Sequence, residues 1–136
     1  MSNQHLGSCN CKAVQFEITG DFEKFFLCHC QRCRKNTGSA HAANLFSEEG
    51  TIKWISGEEN ITIFRYPNAR HTRAFCKTCG SAMPHSRGEN GIVVPAGCLD
   101  TDISVQANGH IFLGHRASWD HHLETVPGFD EYPTQL

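Results

Sequence analysis

The chain reads as mainly β, built of short antiparallel strands stapled by metal. Three observations predict this. Apolar residues alternate in short runs, turn dipeptides separate those runs, and eight cysteines fall in tight clusters. No long stretch repeats apolar residues at the three- and four-residue spacing of a helix.

Taken in order, Ala13 to Ile18 sets Val14, Phe16 and Ile18 on one face of a strand. Residues 51–55 and 60–66 are rich in β-branched and aromatic side chains, which suit a pleated surface. Gly91 to Val94 is a short apolar strand. Asn90-Gly91 and Asn108-Gly109 predict tight hairpins, and Ser56-Gly57, Pro67-Asn68 and Arg87-Gly88 predict turns. One short helix is predicted from about Cys30 to Asn36, and a further turn after Ser118, broken by Pro127-Gly128. A length of 136 residues with no linker or repeat predicts one domain spanning residues 1–136.

Composition narrows the function. A net charge of -2 supplies no basic field for nucleic acid and no polybasic patch for a membrane. No apolar run is long enough to span a bilayer. The first residues lack the basic and apolar regions of a secretory signal, so a cytoplasmic location is expected. Thiols stay reduced there, and the spacing Cys9/Cys11, Cys28/Cys30/Cys33 and Cys76/Cys79 gathers sulfurs around points. Metal is therefore expected rather than disulfides.

Cys76-Lys77-Thr78-Cys79-Gly80 reads as a zinc knuckle: two intervening residues let both sulfurs face one ion, and Gly80 supplies a positive φ. On an extended strand Cys9 and Cys11 would share a side. The two pairs make four thiolates, the complement of a closed structural zinc. Cys28-His29-Cys30-Gln31-Arg32-Cys33 offers three thiolates, and three ligands with an exchangeable position mark catalytic zinc. His29, between two ligands, is expected to point away from the metal. Cys98 either reaches the second zinc and closes it, leaves it open, or serves as a small buried apolar residue.

Gly7 to Phe16, Cys28 to Ala40, Phe75 to Ser81, Gly97 to Asp100 and Ala117-Ser118-Trp119 together resemble the glutathione-dependent formaldehyde-activating enzyme family, which includes the centromere-protein-V-like proteins. The resemblance runs from about residue 7 to about residue 120. It implies a β-tent-like fold with two zincs, a structural one on Cys9, Cys11, Cys76 and Cys79 and a more labile, catalytic one on Cys28, Cys30 and Cys33. It also implies a carbon–sulfur lyase, whose reverse reaction condenses formaldehyde with glutathione to S-hydroxymethylglutathione, so the expected partner is a small-molecule thiol such as glutathione. A thiol at an open zinc position loses its proton readily and can attack a carbonyl carbon. His29, His85 and Asp100 are candidates for moving the accompanying proton. Arg32, Arg34, Arg70, Arg73 and Arg87 are available for the thiol's carboxylates, although solvated surface charge is the commoner fate of such residues. His110, His115, His121 and His122 are expected as incidental surface histidines, and Trp119, Phe129 and Tyr132 as core residues. The rival reading is a non-enzymatic zinc-binding module for protein interaction, which is content with a closed second site.

Overall fold

The computed structural model describes residues 3–133 and arranges them as three small sheets with one short helix. The ends of the expected 1–136 domain lie outside the described residues. The first sheet has the order β1 (Gln4–Ser8), β2 (Gln15–Thr19), β5 (Thr51–Ser56). Another pairs β6 (Ile61–Arg65), β7 (Thr72–Cys76) and β8 (Ala82–Met83). The largest runs β11 (Gly109–Ile111), β3 (Lys24–Cys28), β4 (Ala42–Ser47), β10 (Ile92–Pro95), β9 (His85–Ser86).

The strand expected around Phe16 forms as β2. Val14, Phe16 and Ile18 are fully buried, with Phe16 edge-on to Trp54 at a centroid distance of 5.8 Å. They join Leu45, Met83, Ile92 and Val94 in one core. Burying each of these large side chains is worth about 1.5–3 kcal/mol. Gly7 allows the close approach: a Cβ there would run into the Phe16 ring tip and come within 2.7 Å of the Cys98 carbonyl.

Every strand pairing is antiparallel except β11 with β3, which is parallel. Asn108-Gly109 therefore does not turn a hairpin. The Asn108 N–H donates to the Phe25 carbonyl and its Oδ1 accepts from the Phe25 N–H, both at 2.7 Å, so the residue docks the incoming strand instead of turning it. Asn90-Gly91 does close the β9–β10 hairpin, with Gly91 at φ 90°. Among the described residues, the tail after Ser118 contains one 3-10 turn, Leu123–Thr125. Trp119, Phe129 and Tyr132, expected in the core, are exposed: the tail is irregular and buries few apolar side chains. No helix among the described residues is long and apolar enough to cross a membrane.

Candidate metal centres and the adjoining cleft

Cys9 and Cys11 lie in the β1–β2 connection, not on an extended strand. Lys12 turns left-handed at φ 67°, and the Val14 N–H reaches back to the Cys9 sulfur at 3.3 Å. Cys76 ends β7, and Cys79 follows in a turn closed by the Gly80 N–H donating to the Cys76 carbonyl at 2.7 Å, with Gly80 at φ 77°. The four sulfurs lie within 4.8 Å of one another, with Cys9–Cys11 at 3.5 Å and Cys11–Cys76 at 3.8 Å. A tetrahedron of zinc–sulfur bonds of about 2.3 Å puts sulfurs about 3.8 Å apart, so the set fits one ion; a disulfide would need about 2.05 Å. The Asn60 side chain donates to the Cys76 sulfur at 3.1 Å, and the Ser81 hydroxyl lies 3.1 Å from the Cys79 sulfur. The Ser81 hydroxyl and N–H hold the Cys79 thiol down to about 5. The Ala13 N–H also favours the Cys11 thiolate, but the neighbouring Cys9 sulfur, burial, Cys76 and Cys79 together push Cys11 up to about 11. A divalent cation on the set would favour the thiolate form of all four.

The second cluster sits where β3 hands over to α1 (Gln31–Thr37). Cys28 ends the strand. Cys30 is the helix N-cap, its sulfur accepting from the Cys33 N–H at 3.4 Å. Cys33 points inward one turn later, and Gly38 caps the far end. The three sulfurs lie within 4.8 Å of one another. Burial raises the Cys28 and Cys33 thiols. Burial also disfavours the Cys30 thiolate, but the Cys33 N–H and neighbouring donors outweigh it and lower that thiol. Cys98 joins neither cluster among the described residues. It belongs to the apolar core, where burial pushes its thiol up to about 12.

Cys33 opens on a cleft of about 970 Å³ between α1, the β6–β7 hairpin and the β9–β10 end of the large sheet. Arg32, Arg70, Arg73 and Arg87 line it, together with Arg65 and His71, for which no role is expected from the sequence. Arg34 lies outside this lining. The Tyr66 hydroxyl donates to Asn36 Oδ1 at 2.8 Å and Asn36 Nδ2 meets His71 Nε2 at 3.1 Å, tying α1 to the hairpin across the cleft. Convergence of residues 32, 65, 70, 73 and 87 depends on three separate elements, so no local spacing signals it.

Of the three candidates for moving a proton, only His85 lines this cleft. Burial, then His71, Arg87 and Arg65, hold it down at about 4, so it is neutral at pH 7. Asp100 is exposed near the other cluster, accepting from the Ser8 hydroxyl at 2.6 Å. His29 is buried and turned away from the sulfurs, as strand alternation predicts. Its Nε2 lies 2.8 Å from His110 Nδ1, and its Nδ1 lies 2.9 Å from Asp120 Oδ2, off the line of a hydrogen bond. The His41 ring lies 5.0 Å from it. Residues 29, 41, 110 and 120 thus bring three histidines and a carboxylate together around His29. His110 is exposed, as are His115, His121 and His122, but unlike them it meets the buried His29, a contact that the sequence did not signal.

A crystal structure of a Rhodobacter sphaeroides protein, a structural genomics target, is similar in fold. It has a TM-score of 0.55 and 24% sequence identity over 77% of this chain and 98% of that one. A family profile described as glutathione-dependent formaldehyde-activating enzyme matches residues 4–115. That span holds both cysteine clusters and every residue lining the cleft, and by it the chain belongs to the glutathione-dependent formaldehyde-activating enzyme family.

Proposed function

We propose that the chain is a zinc-dependent carbon–sulfur lyase acting on the adduct of a thiol, such as glutathione, with an aldehyde such as formaldehyde. One observation carries the reading: three sulfurs, and not four, converge at the β3–α1 junction, and Cys33 of that set faces a cleft large enough for a peptide-sized thiol. Cys28, Cys30 and Cys33 would hold the second zinc, and Cys9, Cys11, Cys76 and Cys79 the first. The resident zinc would supply acidity, lowering the pKa of a thiol that reaches the open position.

The chain's own residues do the rest. The cleft orients the carrier's anionic groups through its arginines. Neutral His85 accepts the adduct's hydroxyl proton as the carbon–sulfur bond breaks, and returns it in the direction of condensation. Reduced, cytoplasmic conditions would keep the seven clustered thiols free for metal, in keeping with sulfur separations of 3.5 and 3.8 Å. Exposed aromatics of the tail offer the rival interaction module a surface, but that reading leaves the open cleft beside Cys33 without a purpose.

The test is a glutathione titration of cobalt-substituted protein, followed by sulfur-to-cobalt and d–d absorption. Saturable change in the bands of one cobalt, with the other constant, is expected. Bands that ignore glutathione, its desamino analogue and other thiols alike would sink the open-site reading and leave a structural zinc module.

A further inference from the structure

The cleft beside Cys33 carries more positive charge than an aldehyde could use, since formaldehyde has none. Five arginines line it, and no aspartate or glutamate does so among the described residues. Only two ion pairs occur among the described residues, His29–Asp120 and Arg116–Asp120, so none of the five guanidiniums is neutralised by a carboxylate. Three are instead held by ring faces: Arg73 lies 4.6 Å from the Phe75 centroid, Arg32 5.0 Å from Tyr66 and Arg87 5.4 Å from Phe46. A ring face steadies the plane of a guanidinium while leaving its N–H edge free to bind an anion in a two-pronged fashion. Arg73 Nε is buried and has no hydrogen-bond partner among the described residues. The same field lowers the basicity of His71, after burial, through Arg32.

Glutathione matches only part of this surface. Its two carboxylates suit the arginines. Its ammonium group would have no carboxylate to meet, only neutral acceptors such as Asn36, Asn44, Thr72 and Asn90, amid five like charges. We infer that the cleft is built for a thiol carrier bearing two or more carboxylate or phosphate groups and no ammonium group. This rests on the lyase reading for the role of the thiol, but not for the preference in charge.

The test compares glutathione with its desamino analogue, glutaryl-cysteinyl-glycine, which keeps both carboxylates and the thiol and replaces the ammonium by hydrogen. Calorimetry on the metal-loaded protein reads affinity, and the cobalt bands separately read entry of the sulfur. The desamino compound should bind about fivefold more tightly, the size of one like-charge contact relieved at a partly exposed site. That advantage should shrink in the double variant Arg65→Gln/Arg70→Gln, both exposed positions whose change should leave the fold intact. Equal or tighter binding of glutathione would overturn the inference, as would failure of both compounds to bind at millimolar concentration. Binding in the expected order with silent cobalt bands would support the charge preference while refuting the lyase reading.

Discussion

Cys9 and Cys11 meet Cys76 and Cys79 across at least 65 residues of chain, whereas Cys28, Cys30 and Cys33 lie within a single strand-to-helix handover. The ligand chemistry is the same, but the consequences for folding differ. An ion on the first set closes a long loop and joins the β1–β2 connection to β7, a link whose loss restores large conformational freedom to the unfolded chain. An ion on the second set holds residues already placed by β3 pairing and by the cap of α1. The environments diverge in the same sense: the first set completes its own tetrahedron, while the second has three sulfurs and a cleft.

The largest expected effect is therefore at the first set. Structural zinc binding is worth about 10 kcal/mol or more, comparable to the entire stability of a small domain at about 5–15 kcal/mol. Cys76→Ser should give insoluble protein or a chain without a cooperative transition in circular dichroism. A sharp melt near that of the parent would contradict the structural role.

A smaller loss is expected where β1 crosses the core close to that set. Gly7→Ala forces a methyl group into Phe16, and overpacking of this kind costs about 1–3 kcal/mol. Urea denaturation should show a lower midpoint with unchanged slope. An unchanged midpoint would mean that Phe16 has room to yield.

The cleft side should respond to pH instead. His85 titrates at about 4 in the folded chain against an ordinary 6.5. Between those values the unfolded chain binds the proton that the folded chain refuses. The stability tied to a neutral His85 is thus fully present above pH 6.5 and lost as the pH falls towards 4. His85→Gln should flatten part of that decline in the melting temperature, and parallel curves for parent and variant would remove His85 from the account.

The Cys28, Cys30 and Cys33 cluster is legible because Cys-x-Cys-x-x-Cys gathers its sulfurs locally; the other is legible only as two local pairs, Cys9/Cys11 and Cys76/Cys79, whose meeting depends on the fold. The alternation around Phe16 and the Cys30 helix start are legible because they too are local. What escaped is what depends on distant pairing. Asn108-Gly109 has a hairpin's sequence, yet it begins the parallel partner of β3 because Phe25 offers its backbone. His110 reaches His29 only through that pairing. Trp119 has the composition of a core residue but follows the last strand, with nothing opposite it to bury against. The arginines of the cleft are individually ordinary, and only α1 together with the β6–β7 and β9–β10 hairpins brings them to one cleft.

The division between the two clusters is tested most directly by metal content read alongside thermal melting for Cys33→Ser. The account predicts one zinc per chain where the parent holds two, a cooperative melt within a few degrees of the parent's, and no lyase activity. Loss of both zincs together with the cooperative melt would contradict it, because the second site would then be as much a staple as the first.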